Sequence, residues 1–201
     1  MDRRRTAYVF AWTAVAALAV GLLSRQLPPE GFSSGDPGVK LIAARHAAAH
    51  PSRPLAIGLP SIAGAPAPFV DPMFQVHGDH THALQAPLFP VLTAPLLAWL
   101  GLRGAYVLPA VAFVALLPLA AALSRRVGLA VGVTALAVSA VLANPVFFYA
   151  FEIWDHVPAI AVLAAATLLA FGEAGGRGDA ARLAAAGLCA AAGILLRPEG
   201  I

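Results

Sequence analysis

The stretch that decides the fold is GAYVLPAVAFVALLPLAAALSRR, residues 104–126. From Gly104 to Leu123 it carries no charge, and an arginine pair, Arg125-Arg126, follows at once. Helical rise of about 1.5 Å per residue makes such a run long enough to cross roughly 30 Å of hydrocarbon. Similar runs lie on both sides. Thr6–Leu23 follows Arg3-Arg4-Arg5, and Val127–Ala143, Val157–Phe171 and Leu183–Leu196 come after it. A cleaved signal peptide would have a shorter apolar region and a small-residue cleavage site, whereas Leu22-Leu23-Ser24-Arg25-Gln26 follows here, so the first run reads as an uncleaved helix.

Leu88–Leu100 is apolar but short, and Pro90 and Pro95 interrupt it. Charge decides its place. With Arg3–Arg5 in the cytoplasm and 88–100 not crossing, Arg125, Arg126, Arg177 and Arg182 all fall on the cytoplasmic side, as the positive-inside rule requires. A crossing there would put all four outside. The expectation is therefore an all-α polytopic membrane protein with five crossings and one large outer loop, 24–103, carrying interfacial helices. The linker Phe147-Phe148-Tyr149-Ala150-Phe151-Glu152-Ile153-Trp154 sits at the outer interface, where aromatic rings favour the headgroup layer.

Composition agrees. Of 201 residues 60% are hydrophobic and 11% charged, and mean hydropathy is +0.79. Soluble domains hold about 25% charge, so a soluble globular enzyme is excluded, and disorder with it. The net charge of +3 reflects membrane topology, not nucleic-acid binding. The single cysteine, Cys189, forms no intrachain disulfide. The chain breaks off just after an apolar run, and it reads as one membrane domain, 1–201, the N-terminal part of a longer module.

Residues 24–85 are rich in proline and hold every histidine except His156. Asp36-Pro37 opens this loop. Asp36 reads either as the N-cap of a helix over Val39–Ala49, with Pro37 at its first position, or as a general base at the membrane surface. Glu152-Ile153-Trp154-Asp155-His156 is a second acidic segment on the same side. There Asp155 reads either as a helix cap or, with Glu152, as part of a cleft shared with Asp36. Two such segments suit deprotonation of a hydroxyl, or a divalent metal ion held against a phosphate; no other cofactor is indicated. Lys40, Arg45 and Arg197 are candidate phosphate contacts, or else snorkelling cations. His156 joins them as a candidate substrate contact. Arg25, Arg53 and Arg103 are further outer cations. His77, Asp79, His80 and His82 offer zinc-type ligands at a spacing that fits no known finger, so a solvated loop is the competing reading.

Together these pieces resemble the GT-C superfamily of membrane glycosyltransferases, in particular the bacterial protein O-mannosyltransferase and aminoarabinose transferase group. The resemblance rests on Ser34-Gly35-Asp36-Pro37-Gly38-Val39-Lys40-Leu41, on Gln85-Ala86-Pro87-Leu88-Phe89-Pro90, on Asn144 through His156, and on Gly193-Ile194-Leu195-Leu196-Arg197-Pro198-Glu199-Gly200. It implies a polyprenyl-phosphate sugar donor, an acceptor of unspecified identity on the outer face of a bacterial plasma membrane, and Asp36 as catalytic base. The second acidic residue would be Glu152 or Asp155. Asp36 lacks the adjacent carboxylate that many members carry. A transporter or lipid flippase would show ionisable groups near mid-bilayer, and a non-catalytic membrane scaffold would need no outer carboxylates. The topology is checked by cysteine-accessibility labelling at Ser61 and at Gly176, which should react from opposite faces; labelling of both from one face overturns five crossings.

Overall fold

The computed structural model describes residues 3–26, 28, 35–57, 73–77, 80–172 and 178–197. Asp79, Arg177 and the Pro198-Glu199-Gly200 end of the last motif lie outside them. In chain order the elements are α1 (Arg3–Gln26), α2 (Gly35–Ala49), β1 (Phe74–His77), β2 (His80–Ala83), α3 (Leu88–Leu100), a 3-10 segment (Gly101–Tyr106), α4 (Val107–Arg126), α5 (Val131–Leu142), α6 (Val146–Tyr149), α7 (His156–Ala170) and α8 (Asp179–Leu196).

Three helical stretches are long and apolar enough to cross a membrane: Thr6–Gln26, Leu88–Arg126 and Asp179–Leu196, of 21, 39 and 18 residues. Of the other two expected spans, α5 is shorter than its sequence run, while α7 equals its run in length and is shifted by one residue. α5 has 12 residues and α7 has 15, lengths of about 18 and 22 Å against roughly 30 Å of hydrocarbon. The expected separation of 88–100 from 104–123 is replaced by one continuous 39-residue stretch, jointed by the 3-10 segment. Gly101 turns the chain there with φ of 63°, a left-handed conformation suited to glycine. Gly104 then packs directly on the backbone of Leu96, with no room for a Cβ.

The main core joins α1, α4, α5 and α7. Ala16 and Val20 meet Phe113, Leu116, Leu117 and Ala121, with Val138, Val157 and Ala161. Phe113 and Phe147 pack edge to face at 5.5 Å, and Phe147 repeats this with Phe151 at 5.2 Å. α7 and α8 form a close antiparallel pair. Alanine-rich surfaces and Gly193, whose missing Cβ leaves room for Leu163, allow that approach. Arg182 closes the pair's far end by donating to the Leu169 carbonyl and to Asp179, each at 3.1 Å. The hydroxyls of Thr13, Ser124 and Thr167 donate to carbonyls four residues earlier, so these apolar helices satisfy their polar groups internally.

A second core attaches the proline-rich loop. Leu41 of α2, Phe89 and Leu97 of α3, Ile153, Ala159 of α7 and Leu196 of α8 are buried together. The loop also contains a hairpin: β1 and β2 pair antiparallel with His77 opposite His80, and Thr81 forms a further bridge to Ile57. Val39 and Ala43 cover it together with Ile57 and Phe74. α2 begins at Gly35, so Asp36 lies inside the first turn and not at the cap position expected for it.

Gly104→Ala should destabilise the fold by about 3 kcal/mol, because its Cβ would overlap main chain that cannot swing aside. Gly21→Ala, whose Cβ meets nothing within 4 Å, should be neutral or stabilising. Thermal unfolding of both variants in detergent checks this contrast.

Candidate functional site

The site grows from one residue of α2. Lys40 is 3% exposed, and an ammonium so buried requires a counter-charge. It finds Asp155, 4% exposed, with 3.4 Å between Lys40 Nζ and Asp155 Oδ2. Asp155 immediately precedes α7 and makes no side-chain cap bond, against the expected cap reading. Its carboxylate is turned to its neighbours instead. Oδ1 stands 3.2 Å from His156 Nδ1 and 3.5 Å from Arg197 Nη1, close enough for charge though not aligned as a hydrogen bond. Arg197 Nη1 donates to His156 Nδ1 at 2.6 Å. A guanidinium has no acceptor, so that ring nitrogen accepts.

Four sequence candidates, Lys40, Asp155, His156 and Arg197, thus meet at the end of the bundle where α7 begins and α8 finishes. Two fixed cations surround one carboxylate, which leaves this end with surplus positive charge. Burial raises the Asp155 pKa and is the largest single effect. The Lys40 ammonium, 3.4 Å away, opposes it, and the carboxyl is held below its ordinary range.

Asp36 is half-buried one helical turn before Lys40. Residues four apart share a helix face and are separated by about 6 Å along the axis, so α2 presents Asp36 on the side that carries Lys40. Arg45 is exposed on another part of α2 and does not join the cluster. Beside the cluster stand three rings in mutual contact. Trp154 lies 4.7 Å from both Tyr149 and His156, and Tyr149 lies 5.1 Å from His156. The buried Trp154 Nε1 has no hydrogen-bond partner among the described residues.

Glu152 goes elsewhere. It lines a cavity of about 490 Å³ between the end of α1, the 3-10 segment and the α6 linker. Leu23, Tyr106, Phe147, Phe148 and Phe151 supply apolar walls, while Arg25 and Arg103 add charge. The sequence reading counted these arginines only as outer cations. Their convergence depends on α1 packing along α4, which no local pattern reveals. Glu152 is 6% exposed, and its Oε2 has no hydrogen-bond partner among the described residues. Leaving such an atom unmet costs about 1–3 kcal/mol.

Of the histidine-rich segment, the backbones of His77 and His80 pair across the hairpin and His82 lies on β2. Among the described residues no group of three or more His, Cys, Asp or Glu side chains converges to hold a metal ion.

Comparison with protein-family models, curated proteins and solved structures finds no match.

Asp155→Asn should destabilise the protein by about 3–5 kcal/mol, since it strands the Lys40 ammonium. Because the folded-state pKa of Asp155 is depressed, its contribution is complete above the unfolded carboxyl value of about 3.9. It is lost as pH falls through the lower folded value. Thermal stability measured from pH 7 to pH 3 should therefore show a steeper acid limb in the wild type than in Asp155→Asn.

Proposed function

We propose that this chain is an integral membrane glycosyltransferase, or the N-terminal part of one, moving a sugar from a polyprenyl-phosphate donor to an acceptor on the outer face of a bacterial plasma membrane. The observation that carries the reading is the docking of α2, through Lys40 and Asp155, on the end of the helix bundle. Asp36 lies one helical turn before Lys40 on the same face of α2.

Each part has a task in such a reaction. The partly exposed Arg197, with the cluster's surplus positive charge, suits the donor phosphate. The faces of Trp154 and Tyr149 suit a sugar ring. Asp36 is the carboxylate left to take a proton from the acceptor hydroxyl, raising its nucleophilicity as it attacks the anomeric carbon and the lipid phosphate departs. Asp155 positions α2 by holding Lys40. Glu152 belongs to the neighbouring cavity and is not required as the base.

A path of five crossings accompanies this reading. Its support is the direction of the helices: α1, α4, α5, α7 and α8 run alternately between two ends. Arg25, Arg103, Asp155 and Arg197 collect at one end, while Arg125, Arg126 and Arg182 collect at the other. The arginines thus divide between the two ends, and the alternating direction of the helices, not the arginine balance, supports the path.

In the complete enzyme, Asp36→Asn should preserve membrane insertion and thermal stability but lower sugar transfer from a polyprenyl-phosphate donor by at least about 100-fold. Near-normal turnover would reduce Asp36 to a favourable first-turn charge on α2.

A further inference from the structure

The cavity lined by Glu152 is separate from the Lys40–Asp155 cluster, so its reading does not rest on the transfer reaction. Its walls are largely aromatic and aliphatic, and its charged groups are two guanidiniums and one carboxylate. Guanidinium forks match the oxygens of a phosphate. A phosphate alone, however, leaves Glu152 unanswered. That side chain is 6% exposed, and one of its oxygens accepts no hydrogen bond from the described residues. A ligand that satisfies all three groups carries an anionic phosphate and, a few bonds away, a cation with N–H donors. The rings of Phe147, Phe148 and Phe151 favour the same cation through their faces. The apolar walls suit the start of the acyl chains, and Leu18 and Leu22 on the same helix α1 are exposed apolar surface for lipid.

We propose that this cavity binds the headgroup of a zwitterionic phospholipid bearing a primary ammonium, with the phosphate on Arg25 and Arg103 and the ammonium on Glu152. A phosphoglycerol lipid meets the arginines but brings no cation to Glu152. A trimethylammonium headgroup brings the cation but has no N–H to donate.

The test uses the full 201-residue chain, purified in detergent and stripped of lipid. Retention of phosphatidylethanolamine, phosphatidylglycerol and phosphatidylcholine with identical acyl chains is then measured by native mass spectrometry. The ethanolamine lipid should be held about tenfold more tightly than the other two, the difference expected for one charge-assisted hydrogen bond. Stepwise N-methylation of that lipid should weaken binding to the wild type, most at the trimethyl stage, a readout that needs no folded variant. Glu152→Gln should erase the preference, and Arg103→Gln should weaken all three lipids. Soluble O-phosphoethanolamine should displace the lipid only at large excess. Equal retention of the three lipids, preference for the glycerol lipid, indifference to N-methylation, a preference that survives Glu152→Gln, or displacement by equimolar O-phosphoethanolamine overturns the proposal.

Discussion

An ammonium removed from water must be met by a carboxylate, and in this chain the demand of Lys40 is met by Asp155. The arrangement of the proline-rich loop depends on that pairing. α2 has buried residues on both sides of Lys40, Val39 and Leu41 among them, and apolar contact alone would tolerate a slide or a rotation of the helix. The ion pair does not. A shift of one residue along α2 would carry Lys40 around the helix by about 100° and leave two charges buried apart. Such a pair adds little net stability over a well-packed apolar substitute. Its effect is to single out one seating for α2, and Asp36, Trp154 and Arg197 take their relation to one another from that seating.

The rest of the bundle is held by closeness more than by apolar burial. Phe10, Leu18, Trp99, Val111 and Leu188 face outward, where lipid would surround them at no cost. Between helices, Gly104 and Gly193 allow contacts that a side chain would prevent. The hydroxyls of Thr13, Ser124 and Thr167 return their hydrogen bonds to their own helices, so neighbours need not supply partners for them. Stability in such a setting comes from fit, which is why a single methyl group at Gly104 matters more than most substitutions on the exposed faces.

Composition and apolar runs made the helices legible, and Arg125-Arg126 marked the end of α4. The acidic segment around Asp155 was legible as chemistry, because charge is scarce in a chain with 11% charged residues. Its partner was not. Lys40 read as a phosphate contact, since nothing local tells a lysine bound for solvent from one bound for a carboxylate more than half the chain away. The length of α5 was overestimated because hydropathy continues past the point where the backbone turns. The hairpin hid in short strands whose histidines suggested ligands before they suggested pairing, though Gly78-Asp79 between two alternating segments was the available signal. Arg25 and Arg103 were visible as charges, but their meeting with Glu152 is a product of tertiary packing.

The distance in sequence between Lys40 and Asp155 also constrains the order in which the molecule can be made. Synthesis delivers α2 long before α7, and Arg197 comes later still. Until those segments arrive, Lys40 has no carboxylate to receive it, and α2 must wait hydrated at the membrane surface while α4 and α5 assemble. Closing so long a loop is entropically late by nature. α2 therefore settles only after α7 and α8 are formed, and its docking reports that those helices are already in place.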